Sequence, residues 1–178
     1  EAASTFAGPR WVAASIGPYG ATLADGSEYT GAYDLDERAL REWHRPRIET
    51  LASAGPDVFA IETIPSAVEA RAILDACADV GVRAWLSLTV AGGRTRRDEA
   101  LAEVYADAAA SGVVFAVGAN CCDPSEVDAV VDGDGLALVV VPVDEVADAV
   151  ADAAGAAGVG VGLLLQAERA RPTARARA

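Results

Sequence analysis

The stretch Val58–Val90, "VFAIETIPSAVEARAILDACADVGVRAWLSLTV", settles the fold class. "VFAIETI" (58–64) is a run of strand length with almost no polar alternation, the pattern of a strand covered on both faces. Ser66 then opens a helical segment with Glu69 three residues on, the spacing of a capping box, and Gly81 closes it. "RAWLSLTV" (83–90) is a second apolar run. A strand, a helix of crossover length and another buried strand form a βα unit whose strands pair in parallel.

The same cycle extends in both directions. Upstream, "WVAASIG" (11–17) leads through a Gly- and Tyr-rich loop to "DERALREWHRPRIETLASAG", where Leu40, Trp43, Ile48 and Leu51 trace one helical face. Downstream, "DEALAEVYADAAASG" is followed by "VVFAVGAN" (113–120), a short helical piece from Asp123-Pro124, "LALVVVPV" (136–143), "DEVADAVADAAGAAG" and "VGVGLLLQ" (159–166). About six strands alternate with helices, fewer than the eight of a barrel of about 250 residues. A βα barrel and an open doubly wound sheet both satisfy this pattern. Neither G-x-G-x-x-G nor G-x-x-x-x-G-K-[ST] follows the first strand, so the usual nucleotide fingerprints are missing.

Composition narrows the chemistry. The 178 residues are 52% hydrophobic and 23% charged, enough for one substantial core. The net charge is -13, all 14 basic residues are arginine, and nucleic acid is an unsuitable partner for such a surface. Four of those arginines crowd into "QAERARPTARARA", so residues 167–178 read as a low-complexity tail beyond a domain of residues 1–166. No apolar run reaches the roughly 18 to 20 residues of a membrane span. Three cysteines, and a start unlike a signal peptide, suit a reducing, cytoplasmic setting.

In parallel α/β folds, ligands sit beyond the carboxyl ends of the strands. The polar residues there are Ser15 to Tyr19, Glu62 and Thr63, Ser87 and Thr89, and Asn120 and Cys121. Glu62 stands out, because a carboxylate at the end of an apolar strand costs several kcal/mol unless a partner compensates it. A substrate amine or loop N–H groups would serve. Cys121 is either a small buried hydrophobe or a thiolate for a soft metal or nucleophilic attack. Cys77 lies mid-helix and reads as packing. His44, the only histidine, reads as lying on an exposed or flanking part of its helix, and with no second histidine a His-based zinc site or a Ser-His-Asp triad is nearly excluded. No acid–base catalyst is assigned.

Taken in order, "VAASIGPYGATLADGSEYTGAY", "REWHRPRIETLASAGPDVFAIETIPSAVEA", "AWLSLTV" and "AVGANC" resemble the homocysteine S-methyltransferases over roughly residues 11 to 131. That resemblance implies a (β/α)8 TIM barrel that moves a methyl group from S-methylmethionine or S-adenosylmethionine to zinc-bound homocysteine, forming methionine. Cys121 matches the G-x-N-C cysteine that holds zinc, Glu62 the glutamate that takes the amino group of homocysteine, and Asn120 a residue of the metal pocket. Ser15 and Thr63 join the substrate-binding set by position.

The sequence departs from the family pattern in two places. Two βα units that precede the matching segment in family members have no counterpart, and no G-G-C-C follows Cys121. An incomplete barrel, degenerate towards its carboxyl end, inactive alone and prone to self-association through uncovered edges, is the resulting expectation. A non-catalytic α/β remnant or amino-acid-binding module is the alternative. "GLLLQAERARP" (162–172) stands where G-G-C-C-R would fall, and codons CTG-CTG-CAG for Leu164, Leu165 and Gln166 would read Cys-Cys one base on. This motivates the expectation of a frameshift between about Val131 and Gly162, against the plainer reading of an apolar strand and tail.

Overall fold

The computed structural model describes residues 11–126 and residue 130. The expected strands at 136–143 and 159–166, the tail at 167–178 and the segment of the proposed frameshift lie outside the described residues.

Four parallel strands, β1 (Ala13–Ile16), β2 (Val58–Ile64), β3 (Ala84–Leu88) and β6 (Val114–Ala119), form a sheet in sequential order. Helices α1 (Glu37–Ser53), α2 (Ala67–Val80) and α3 (Leu101–Ala110) connect them. A small antiparallel hairpin, β4 (Val90–Ala91) and β5 (Arg94–Thr95), follows β3. The sequence anticipated the four strands and three helices to within a few residues but gave no sign of the hairpin.

Register explains which residues became core. Ile16, Ile61, Leu86 and Val117 align across the four strands, and all four are buried. With Ile48 of α1, Ile73 and Leu74 of α2 and Val104 of α3 they form one apolar cluster. Each such side chain contributes about 1.5–3 kcal/mol by leaving water. The neighbouring row, Ser15, Ala60, Trp85 and Ala116, points to the other face. There Trp11, Val58, Trp85 and Phe115 make a smaller cluster near the amino ends of the strands.

Sequential order without reversal has a topological consequence. Crossovers between parallel strands of one sheet are right-handed as a rule, and under that rule a sheet whose order never reverses keeps its helices on one face. The described segment accordingly has no switch point of the kind that marks a doubly wound sheet.

Local signals fix the helix ends. Asp36 caps α1, its Oδ1 accepting from the N–H of Ala39 at 2.8 Å. Ser66 caps α2 through the N–H of Glu69, and Gly81 ends it in the left-handed conformation at φ 79°. The reciprocal half of the expected capping box is not made, because the Glu69 side chain turns inward to another set of partners.

Candidate functional site

The carboxyl ends of β1, β2, β3 and β6 gather the polar residues singled out by the sequence. Glu62 shares a face of the sheet with Ala60, and Ala60 pairs with Ser15, which brings the two side chains together. Ser15 Oγ donates to Glu62 Oε1 at 2.5 Å, and Oε2 has no hydrogen-bond partner among the described residues. Glu62 is half-buried. A carboxylate held by one hydroxyl, with one oxygen uncommitted, is arranged to take a cation.

Beside it, the regular ladder breaks. The β2–β3 register shifts between Ile61 and Ile64, and Thr63 adopts φ 63°, a left-handed conformation that is costly for a β-branched residue. The irregularity turns Thr63 towards the end of β6. Asn120 Oδ1 accepts from the Thr63 N–H at 2.9 Å, while Asn120 Nδ2 donates to Thr63 Oγ1 at 2.9 Å. This reciprocal pair fixes the orientation of the amide. Thr63 Oγ1 lies 3.3 Å from Cys121 Sγ, and Asn120 Nδ2 lies 3.6 Å from the same sulfur.

Cys121 is exposed and itself left-handed, at φ 49°. Its carbonyl accepts from Thr89 Oγ1 at 3.0 Å, and Arg96 Nε donates to that hydroxyl at 3.2 Å. Hydrogen bonds thus carry one connected network from the end of β2 through Asn120 and Cys121 to Thr89 after β3. Two hydrogen-bond donors, Thr63 Oγ1 and Asn120 Nδ2, face the Cys121 sulfur.

The adjacent cysteine behaves differently. Cys122 packs against the core cluster, and burial, followed by the charge of Glu126, pushes its thiol above the usual range. Cys77 is fully buried and pushed up to about 12 by burial, which agrees with a packing role.

Sequence reasoning missed one buried titratable cluster and misplaced one residue. His44 is fully buried rather than exposed or flanking. The spacing Leu40, His44, Ile48 puts all three on the inner stripe of α1, a face for which the sequence reading had taken Trp43 in place of His44. His44 Nε2 lies 2.9 Å from Oε1 of Glu69, also fully buried. Glu69 Oε1 accepts from the Tyr19 N–H at 2.6 Å, and Oε2 accepts from the Tyr33 hydroxyl. Burial pushes Glu69 up to about 7, opposed by the Tyr19 N–H. Burial, helped by the positive charge of Arg47, pulls His44 down to about 4. The cluster ties the Tyr19 loop after β1 to α1 and α2. Ser66-x-x-Glu69 concealed it by imitating a capping box.

Among the described residues, no group of three or more His, Cys, Asp or Glu side chains is gathered to hold a metal. Nor is any described helix long and apolar enough to cross a membrane.

Comparison with known proteins agrees with this geometry. The family model for homocysteine S-methyltransferase matches residues 1–158. "Homocysteine S-methyltransferase 1" of Zea mays is 40% identical over 125 residues, which cover 67% of this chain and 39% of that protein. The Escherichia coli homocysteine S-methyltransferase is 44% identical over 117 residues, covering 65% and 38%. The chain therefore spans less than half the length of these curated relatives. A crystal structure of the metallated form of the Escherichia coli homocysteine methyltransferase MmuM superposes with a TM-score of 0.66 at 38% identity, over 72% of this chain and 45% of that one. The parallel α/β sheet described above is the part of that fold the two proteins share.

Proposed function

Because the chain belongs to the homocysteine S-methyltransferase family, we propose that its strand ends hold homocysteine for methylation by a sulfonium donor, S-methylmethionine or S-adenosylmethionine. The sequential, singly wound sheet supports an arc of a (β/α)8 barrel running through a domain of residues 1–166, with 167–178 as a tail. The observation that carries the substrate reading is the Glu62 carboxylate, bonded to Ser15 on one oxygen and uncommitted on the other, beside the Thr63–Asn120–Cys121 network.

The role of each residue follows from its chemistry. Glu62 takes the ammonium of homocysteine by a charge-assisted hydrogen bond, with Ser15 holding its other oxygen. This fixes the amino-acid end and leaves the sulfur free to approach Cys121. In the transfer, the homocysteine sulfur attacks the methyl carbon of the sulfonium. The new S–CH3 bond forms as the old one breaks, the donor sulfur keeps the electron pair as a neutral thioether, and the thiol proton passes to solvent.

A catalytic zinc ion takes three protein ligands and leaves a fourth position for substrate. The described residues bring one suitable ligand, Cys121, with Thr63 and Asn120 donating to its sulfur rather than competing for a metal. They do not build a zinc site by themselves. The part proposed for Cys121 is that of a single thiolate ligand.

Calorimetric titration of the chain with L-homocysteine under reducing conditions tests the reading. Binding should weaken about 10- to 100-fold in Glu62→Gln, which keeps the size of the side chain but not its charge. Equal affinity in the two proteins would remove Glu62 from the site and the reading with it. Labelled S-methylmethionine should give little labelled methionine with this chain alone.

A further inference from the structure

The hairpin after β3 and the two residues that follow it carry three arginines, and they are used differently. Arg94 pairs with Asp98 at 2.6 Å. Arg97 is exposed, its methylenes near Gly31. Arg96 is half-buried and held at its root: its N–H donates to the carbonyl of Pro65, just past β2, at 3.0 Å, and its Nε to Thr89, just past β3. Thr89 in turn holds the carbonyl of Cys121, just past β6. One guanidinium is therefore anchored where three strand ends converge.

Its two terminal nitrogens have neither a hydrogen bond nor an ion pair among the described residues. The acids of its neighbourhood are committed elsewhere. Glu126 spends both oxygens on the N–H groups of Gly92 and Gly93, at 2.8 and 2.9 Å. Glu99 accepts from the Ala67 N–H and the Thr95 hydroxyl on one oxygen, and Asp98 is bound by Arg94. Glu126 acts on this partly buried guanidinium only through its charge, and the open Nη edge matches the two oxygens of a carboxylate.

We infer that Arg96 is the carboxylate-recognising residue of the site, pairing the α-carboxylate of one of the two amino-acid reactants, beside the ammonium site at Glu62. This rests on the reading of the site as a homocysteine pocket. The spacing permits it: Thr89 lies about two residues, or roughly 7 Å, further along the strand direction than Glu62, a gap that the two long side chains and a bound α-amino acid can bridge. Both reactants named above carry an α-amino carboxylate, so Arg96 would select amino acids over plain thiols or sulfonium compounds, whichever reactant it touches.

Two matched pairs of ligands test the proposal by calorimetry. L-homocysteine is compared with 3-aminopropane-1-thiol, which lacks only the carboxylate, and S-methylmethionine with (3-aminopropyl)dimethylsulfonium. The wild-type chain should prefer the carboxylate-bearing member of at least one pair by about 10- to 100-fold. Arg96→Met should abolish that preference while leaving the affinity for the decarboxylated partner unchanged. Arg96→Lys, which keeps the charge without the planar fork and guards against simple misfolding, should retain part of it. The pair in which the preference disappears identifies the reactant. A wild-type preference that survives in Arg96→Met overturns the proposal, as does the lack of any preference, and in both cases Glu62-dependent binding of homocysteine still stands. Failure of the wild-type chain to bind either member of either pair overturns both readings together.

Discussion

Replacing Glu69 by glutamine, and separately His44 by asparagine, should tilt the pH dependence of stability in opposite directions. Glu69 is held up to about 7 in the folded chain against an ordinary value of 4.5. Its contribution is fully present below about pH 4.5 and is lost as pH rises through 7, because the folded state keeps a proton that the unfolded chain releases. At about 1.4 kcal/mol per pH unit, that interval is worth at most about 3 kcal/mol. His44 is pulled down to about 4 against an ordinary 6.5, so its contribution is fully present above pH 6.5 and is lost as pH falls through 4, by a similar amount. In the wild-type chain the pair carries about one proton in each state between pH 4.5 and 6.5, and the two slopes cancel. Glu69→Gln leaves the histidine alone, and its stability should rise by up to about 3 kcal/mol from pH 4 to 6.5. His44→Asn leaves the acid alone, and its stability should fall by a similar amount from pH 4.5 to 7. Urea unfolding followed by tryptophan fluorescence across this range measures both. Each variant also loses contacts at every pH, so the sign of the slope is the diagnostic. Two variants that run parallel to the wild type would refute the coupled, buried pair.

Further consequences follow from the backbone. Thr63 at φ 63° should make glycine better tolerated than alanine, by about 1 kcal/mol in urea midpoints, the reverse of their usual order in a strand. Higher stability of Thr63→Ala would contradict the left-handed geometry that aims Thr63 at Cys121. Gly20→Ala should cost more than about 2 kcal/mol, because its Cβ would stand 2.5 Å from the backbone nitrogen of Glu28. Gly17→Ala, with open space around it, should stay within about 0.5 kcal/mol of wild type.

The sequence made some parts legible for identifiable reasons. Val58–Ile64 was read to the residue because a continuous apolar run bounded by Asp57 and Pro65 has no other economical reading. Glu62 stood out because a carboxylate ending such a run demands a partner; Ser15 is one, and Oε2 has none among the described residues. Singly wound order was not legible, since strand order depends on which edges meet rather than on periodicity. Thr63 was found by position, but its left-handed turn was not, because threonine is a poor marker for positive φ. His44 was misplaced by the choice of helical face, and Glu69 was hidden by a spacing that two different structures share. Arg96 sits in "GGRTRRDE", a charged run that reads as solvated surface until Pro65 and Thr89 are seen to hold it.

The most direct test is a crystal structure of the chain with L-homocysteine bound. The account predicts the ammonium within about 2.7–3.2 Å of a Glu62 oxygen, with the sulfur directed to Cys121 and the whole ligand at the carboxyl ends of β2, β3 and β6. Homocysteine seated away from those strand ends, or bound there with its ammonium on another carboxylate, would contradict it.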